Sequence, residues 1–132
     1  MKRDLIFAIL PVLSIVLFVA AQNVSVHNSP VPEEIELGAP DEVMTILERS
    51  CFDCHTQDGS AKAKLSLNFS KWDNYKLTKK IGKLSDIAEE VKEQKMPPKR
   101  YIDDYPDKAL SSEEVEIIVN WANEAADKLM EE

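Results

Sequence analysis

Two cysteines and a histidine stand close together in Cys51-Phe52-Asp53-Cys54-His55. Two thiols three positions apart can add to the two vinyl groups of one porphyrin, and an imidazole directly after the second thiol can then reach the iron. This C-x-x-C-H spacing is the attachment signature of c-type haem. The chain contains two cysteines in all, so the signature accounts for every thiol. We therefore predict one haem c, attached covalently through Cys51 and Cys54 and ligated by His55.

Three other kinds of site use the same residue types. A dithiol redox site normally follows a strand of a thioredoxin-like fold, and no strand pattern precedes Cys51. A structural zinc site needs four ligands, whereas the motif supplies three and the other histidine, His27, falls in a linker-like segment. A disulfide between Cys51 and Cys54 would close too short a loop to add much stability. Haem attachment is therefore the favoured interpretation.

An iron held by His55 has a sixth coordination position, and its occupant decides the chemistry. We predict Met96 there, because it precedes Pro97-Pro98, which cannot continue a helix and holds the chain extended. A thioether on so stiff a loop loses little conformational entropy on reaching the iron. The other candidates are Met44, Met130 and His27. We interpret them, in that order, as a core residue, a chain-terminal residue and a solvated linker residue. An open sixth position or a different ligand is the alternative.

An apolar run from Leu5 to Ala21 follows the short, net positive start Met1-Lys2-Arg3-Asp4. Its length is about the minimum for crossing a bilayer and is long for the core of a signal peptide. The two basic residues place the leader in the cytoplasm and the rest of the chain outside, where bacteria attach haem covalently. We predict a retained inner-membrane span over residues 5–21, with the haem domain in the periplasm. The alternative is a signal cleaved near Val19-Ala20-Ala21 and a soluble periplasmic protein.

Composition divides the chain into three predicted parts. Residues 1–21 form the membrane anchor or signal segment. Residues 22–40 are rich in proline and glutamate and predict an extended, semi-rigid tether. Residues 41–132 are a little over ninety residues and predict one haem c domain. A core of that size is marginal alone, and a buried porphyrin would supply apolar surface.

Helical spacing of apolar residues predicts an all-α domain. One helix is predicted over residues 42–50, leading into the haem motif, and another over residues 84–94 with Ser85 as N-cap. A shorter helix is predicted near Ser70, carrying Trp72 and Tyr75. Alternation at period two is absent, so no strand is predicted.

The last predicted helix has the clearest signals. Ser111 is its expected N-cap, and Glu114, three residues on, completes a capping box. The buried stripe that follows consists of Val115, Ile118, Val119, Ala122 and Ala126, widened by Ile117, Trp121 and Ala125. Helices on both sides of the haem motif, with this one packed back on the first, resemble the cytochrome c architecture.

The chain carries a net charge of −8 from 16 basic and 24 acidic residues. A group of glutamates crowds the last predicted helix and the chain end: Glu113, Glu114, Glu116, Glu124, Glu131 and Glu132. We interpret them as a solvated face. A protein partner attracted by this acidic surface would dock through basic residues. Nucleic acid is excluded as a partner because its phosphates would be repelled.

Four residues have two interpretations: Asn68, Phe69, Trp72 and Tyr101. In one, they wall the haem pocket, with Asn68 or Tyr101 donating a hydrogen bond to a haem propionate. In the other, they are ordinary core aromatics and a turn residue. We favour the second for each residue taken singly, because aromatic side chains dominate small cores.

Further motifs follow in order along the chain: Asn28-Ser29-Pro30-Val31, Ile46 to His55, Leu67 to Trp72, Lys95-Met96-Pro97-Pro98 with Tyr101, and Ala109-Leu110-Ser111 leading to Trp121. From about Asn28 to Leu129 the chain thereby resembles the small haem-binding domain family of bacterial c-type cytochromes. The resemblance implies a monohaem cytochrome with histidine–methionine ligation, often with an N-terminal membrane segment. One departure is that Gln57 to Lys62 replaces the tryptophan- and tyrosine-rich segment that usually follows the haem motif.

These features predict one-electron transfer. With His55 and Met96 both on the iron, no small-molecule substrate has a place to bind it. The sequence shows no serine–histidine pair and no glycine-rich phosphate loop, so we predict no catalytic residues and no enzyme. Redox proteins are the expected partners, among them a membrane oxidoreductase complex. The alternatives are a structural or assembly subunit of such a complex, and a haem sensor or enzyme with an open sixth site.

Overall fold

The computed structural model describes residues 35–131, and helices are the only regular secondary structure within that range. The all-α prediction is confirmed for this part of the chain. Its α-helices are α1 (Asp41–Ser50), α2 (Phe52–His55), α3 (Ala61–Ser66), α4 (Leu77–Lys92), α5 (Lys99–Asp104) and α6 (Ser112–Met130). Two 3₁₀ helices, Phe69–Asn74 and Pro106–Lys108, complete the described secondary structure.

The predicted membrane segment, residues 5–21, lies outside the described residues. Between residues 35 and 131, no helix is long and apolar enough to cross a membrane. The end of the predicted tether falls within that range, and residues 35–40 have no regular secondary structure. Ile35, Leu37 and Ala39 are partly buried against the helical core. Residues 35–40 therefore pack against the helices although they form no helix themselves.

The core lies between the two longest helices, α4 and α6, which have the most extensive contact of any pair. Helix α1 packs on α6 and on α2. The predicted contact between the last helix and the first is therefore present, but α4 is the main partner of α6. The buried apolar side chains are Val43, Ile46, Leu47, Leu67, Phe69, Trp72, Leu84, Ile87, Ala88, Val91, Ile118, Trp121, Ala122 and Ala126.

Helix α6 forms as its sequence predicts. The Ser111 hydroxyl accepts a hydrogen bond from the Glu114 amide, and the Glu114 carboxylate accepts one from the Ser111 amide. These two bonds satisfy amide groups that no helical carbonyl can reach. Ile118, Ala122 and Ala126 are buried, as predicted, and Trp121 is buried with them. Val115 and Val119 flank this stripe and are half-buried.

Helix α4 begins at Leu77, seven residues before the predicted start at Leu84. The prediction of Ser85 as N-cap is wrong, because Ser85 lies inside the helix and donates its hydroxyl to the Ile81 carbonyl at 3.2 Å. The missed first turns carry lysines and Gly82. They also carry Leu77 and Ile81, which continue the apolar stripe of Leu84 at helical spacing, and Ile81 is partly buried against the core. The sequence therefore contained a signal for this part of the helix.

Helices α3 and α5 are short and bury no residue, so the apolar pattern did not predict them. The shorter helix expected near Ser70 is the 3₁₀ helix Phe69–Asn74, which carries Trp72 and is followed directly by Tyr75. The Asn68 side chain caps it by accepting a hydrogen bond from the Ser70 amide at 3.0 Å. This segment lies beside the C-x-x-C-H motif.

Candidate functional site

The C-x-x-C-H motif forms a single helical turn that continues from α1. The Cys51 amide donates to the Leu47 carbonyl at 2.8 Å, and the Cys51 carbonyl accepts from the amides of Cys54 at 3.2 Å and His55 at 3.0 Å. Residues three and four positions apart lie on the same side of a helix. The turn therefore presents both thiols and the imidazole towards one side.

The His55 ring is oriented by the backbone of the segment that follows α3. Its Nδ1 lies 3.1 Å from the Leu67 carbonyl oxygen. Since a carbonyl can only accept, Nδ1 is the donor, and in the neutral tautomer with this bond Nε2 carries the lone pair. Metal-ligating histidines commonly have this arrangement, in which a backbone carbonyl fixes the tautomer and the ring direction. Phe69, almost fully buried, meets the ring edge-on at 6.4 Å between centroids.

Neither thiol is in a disulfide, and both cysteines are half-buried. Burial raises the pKa of the Cys51 thiol to about 12, with a smaller contribution from neighbouring Cys54. The reactive cysteine of a dithiol redox site has the opposite property, a lowered pKa that favours the thiolate. The environment of Cys51 is therefore unlike that of a thioredoxin-type site. Nor does any cluster of three or more cysteine, histidine, aspartate or glutamate side chains within residues 35–131 form a metal site.

Met96 lies in the turn between α4 and α5 and is half-buried. Helix α4 ends in a Schellman motif, in which Gln94 adopts a φ of 56°, the Gln94 amide donates to Val91 and the Lys95 amide donates to Glu90. The Met96 amide also donates to the Glu90 carbonyl, at 3.2 Å. The backbone of Met96 is therefore fixed to the end of α4.

The segment after Met96 is tied to the motif. The Tyr101 hydroxyl donates to the Asp53 carboxylate at 2.6 Å, and the Lys108 ammonium lies 3.0 Å from the same carboxylate. The Tyr101 hydrogen bond, followed by that of Lys108, lowers the pKa of Asp53. This link joins residues far apart in the chain, so their positions in the sequence did not predict it.

The other methionine candidates lie elsewhere. Met44 is on α1, half-buried against the core. Met130 ends α6 with 61% of its surface exposed. The third alternative, His27, lies outside the described residues.

Gly59 lies in close contact with the backbone of the motif, at the Cys54 carbonyl. A Cβ built on Gly59 would lie 1.9 Å from the Cys54 carbonyl oxygen, so a side chain cannot be accommodated there without movement of the backbone. The Gly59 amide donates to Thr56 at 3.1 Å, and the Gln57 amide donates to the Ser70 hydroxyl at 3.0 Å. The sequence signal was present, since Gln57-Asp58-Gly59-Ser60 has the composition of a turn.

A broad groove of about 1650 Å³ borders the motif. Its walls include Ile35 and Leu37 on one side, Met44 on α1, and Phe52 and Thr56 of the motif region. Neither thiol, nor His55, nor Met96 lines it. The groove is therefore adjacent to the candidate ligands but does not contain them.

Two of the residues with open interpretations use their polar groups within the protein. Asn68 is buried. Its backbone N–H donates to the Tyr75 hydroxyl, and its side-chain oxygen caps the 3₁₀ helix. The Tyr101 hydroxyl is bonded to Asp53. Both contacts agree with the ordinary structural interpretation. The indole N–H of Trp121, on α6, is buried without a hydrogen-bond partner within residues 35–131.

Residues 60–124 match the family model of the haem-binding domain, in agreement with the resemblance seen in the sequence. The match begins beyond His55, so it supports haem binding independently of the C-x-x-C-H motif. The chain has no significant match among curated proteins or among solved structures.

The side chains gathered at the motif fit a covalently held haem. Cys51 and Cys54 provide two reduced thiols on one side of a helical turn. His55 provides an imidazole whose Nε2 is available as a ligand. The family match and this donor set therefore agree on the kind of group that binds here.

Proposed function

We propose that this protein is a one-electron carrier, a monohaem c-type cytochrome with His55 and Met96 as axial ligands. The observation that carries the proposal is the hydrogen bond between His55 Nδ1 and the Leu67 carbonyl, next to two reduced thiols at haem c spacing. It leaves Nε2 as the ligand atom, on the side of the turn that presents Cys51 and Cys54.

Each residue has a distinct task in this proposal. Cys51 and Cys54 hold the porphyrin through thioether bonds, and His55 binds the iron. The haem, when bound, supplies a metal that exchanges one electron. Met96, held at the end of α4, occupies the sixth position and closes it to small molecules. The protein is thus proposed to be a carrier without catalytic residues.

The proposed location follows from the N-terminal sequence. The apolar run over residues 5–21 would anchor the chain in the bacterial inner membrane, with the haem domain on the periplasmic side. The proposed partners are redox proteins, among them a membrane oxidoreductase complex.

The assignment of Met96 is tested with three matched variants. Met96→Leu, Met44→Leu and Met130→Leu each remove one thioether and keep an apolar side chain of similar volume. We expect Met96→Leu alone to lose the far-red absorption band that a thioether bonded to ferric iron produces. The same variant should bind carbon monoxide rapidly in the ferrous state, because its sixth position is open.

Two results would contradict the proposal. Rapid carbon monoxide binding by the unaltered ferrous protein would show an open site, as in a sensor or an enzyme. A far-red band that survives in Met96→Leu and disappears in Met44→Leu would show that the ligand is Met44.

A further inference from the structure

Charge is distributed very unevenly along this acidic chain. Residues 60–85 contain seven lysines and one aspartate, whereas the rest of the chain contains nine basic and 23 acidic residues. The basic segment therefore has a charge of +6 within a protein whose net charge is −8. It comprises α3, the 3₁₀ helix Phe69–Asn74 and the first turns of α4.

This basic segment lies beside the candidate haem ligand. Its Leu67 carbonyl holds His55. The Lys64 ammonium donates to the carbonyl of Gln57, two residues after His55, at 2.7 Å. Lys79 lies over the Tyr75 ring at 4.1 Å and Lys80 lies 5.8 Å from the Trp72 ring. The lysines thus border the stretch Leu67–Tyr75 that orients the imidazole.

The positive charges of this segment are largely uncompensated. Lys83 pairs with Asp86 at 2.7 Å. The other lysines of the segment form no ion pair with any residue in the range 35–131: Lys62, Lys64, Lys71, Lys76, Lys79 and Lys80. Six unpaired ammonium groups in one stretch favour the approach of an anionic surface.

Exposed leucines alternate with these lysines. Leu65 on α3 has 89% of its surface exposed, and Leu77 at the start of α4 has 43% exposed. Apolar side chains surrounded by charged ones are typical of protein–protein contact surfaces. We define the lysine surface as Lys76, Leu77, Lys79 and Lys80, at the start of α4, where Lys79 and Lys80 lie near the Tyr75 and Trp72 rings.

We propose that the lysine surface docks the acidic face of a redox protein partner. The inference rests on the proposed function, because docking here brings the partner next to the segment that holds His55. One electron then passes between the two proteins, one of which is oxidised and the other reduced, with no bond made or broken. The sign of the docking charge is opposite to the one expected from the net charge of the whole chain.

Charge separation favours a protein partner over a lipid surface. Lysines gathered in one segment of an otherwise acidic chain make its electrostatic field uneven, which orients an approaching acidic protein and repels a wrongly oriented one. An anionic lipid layer on the same lysines would instead cover the surface beside His55 and block the approach of partners.

The test follows oxidation of the ferrous full-length holoprotein, in neutral detergent, by two small oxidants of opposite charge. Hexacyanoferrate(III) is anionic and tris(phenanthroline)cobalt(III) is cationic. If the lysine surface controls access, the hexacyanoferrate rate falls as salt rises and the cobalt rate does not. If the net charge of −8 controls access, the hexacyanoferrate rate rises with salt, and the proposal is overturned.

Two triple variants with equal charge change localise the effect. Lys76→Gln, Lys79→Gln and Lys80→Gln remove three positive charges from the lysine surface. Asn120→Glu, Asn123→Glu and Lys128→Gln change the net charge by the same amount at exposed positions of α6. We expect the first variant to slow hexacyanoferrate oxidation by about three-fold or more at low salt, and the second to leave it nearly unchanged. Equal slowing by both variants would overturn the proposal.

Two further measurements identify the occupant. Poly-L-glutamate is a probe for an acidic protein face. It should slow oxidation of the unaltered protein by hexacyanoferrate(III), but not oxidation of the triple variant Lys76→Gln, Lys79→Gln, Lys80→Gln. The accessibility of Lys76 and Lys79 to chemical acetylation is compared in nanodiscs of phosphatidylglycerol and of phosphatidylcholine. If phosphatidylglycerol protects the two lysines and phosphatidylcholine does not, the proposal is overturned in favour of a lipid surface. Absence of haem, or rapid carbon monoxide binding, would instead refute the proposed function itself.

Discussion

At the scale of single residues, Gly59 shows how closely the chain is built around the motif. Its Cα faces the Cys54 carbonyl so directly that a Cβ would lie 1.9 Å from that oxygen. Both sides of this contact are backbone, so neither can rotate away. The sequence predicted Cys51, Cys54 and His55 as the haem-binding residues from their spacing alone. It could not identify Gly59 or Leu67 as their supports, because those contacts exist only once the chain has folded.

We expect Gly59→Ala to destabilise the protein and Gly82→Ala to stabilise it. The first forces backbone apart at the motif, which should lower the free energy of unfolding by about 2 kcal/mol or more and reduce haem incorporation. The second adds a methyl group inside α4 where nothing lies within 4 Å, and should raise the free energy of unfolding by about 0.5–1 kcal/mol. Denaturant unfolding of the holoproteins measures both changes. Equal effects at the two glycines would show that the Cys54 contact is unimportant.

At the scale of helices, an ion pair connects α1 and α6 in addition to their packing. The Arg49 guanidinium lies 2.9 Å from the Glu114 carboxylate and donates to the Ala109 carbonyl at 3.3 Å. Glu114 also completes the capping box with Ser111. The Glu114 carboxylate therefore caps the first turn of α6 and connects α6 to α1, the helix that leads into the C-x-x-C-H motif.

This arrangement predicts a pH-dependent contribution to stability. The hydrogen bond from Arg49, and then that from the Ser111 backbone, lower the pKa of Glu114 below its ordinary value of 4.5. A carboxyl group with a lowered folded-state pKa stabilises the fold above its unfolded pKa, and this contribution is lost as pH falls through the folded-state pKa. We expect Glu114→Gln to lower the free energy of unfolding by about 1 kcal/mol at neutral pH.

The difference between Glu114→Gln and the unaltered protein should shrink as pH falls below 4.5. Its control is Glu113→Gln, which removes an exposed carboxylate from the same helical turn. Thermal unfolding measured across the acid range provides the comparison. A difference that stays constant down to strongly acidic pH would rule out ionised Glu114 as the source of the stability.

The helices differ in how well the sequence predicted them, for a physical reason. Helix α6 combines a cap with a buried stripe, and its start was predicted correctly. The buried half of α4, with Leu84, Ile87 and Val91, was predicted, but its exposed lysine-rich start was not. Helix α3 buries nothing and was missed entirely. Apolar periodicity is therefore clearest where a helix is fully packed against the core, and weaker in half-exposed turns such as the one that carries Leu77 and Ile81.

At the scale of the whole molecule, the basic segment, residues 60–85, lies beside the candidate haem ligand His55. The matched region, residues 60–124, contains all seven lysines of the basic segment, while the remainder of the chain is strongly acidic. The family and the motif were both recognisable in the sequence. The position of the lysines beside His55 was not, because it depends on the Leu67 carbonyl and the Lys64 contact with Gln57.

Intact-protein mass spectrometry after maturation in a host competent for cytochrome c assembly tests covalent haem attachment most directly. We expect the mass to exceed that of the polypeptide by one haem and to stay so after extraction with acidified acetone. The double variant Cys51→Ala, Cys54→Ala should have the polypeptide mass alone. A polypeptide mass for the unaltered protein, with the pigment in the organic phase or no pigment at all, would contradict the account.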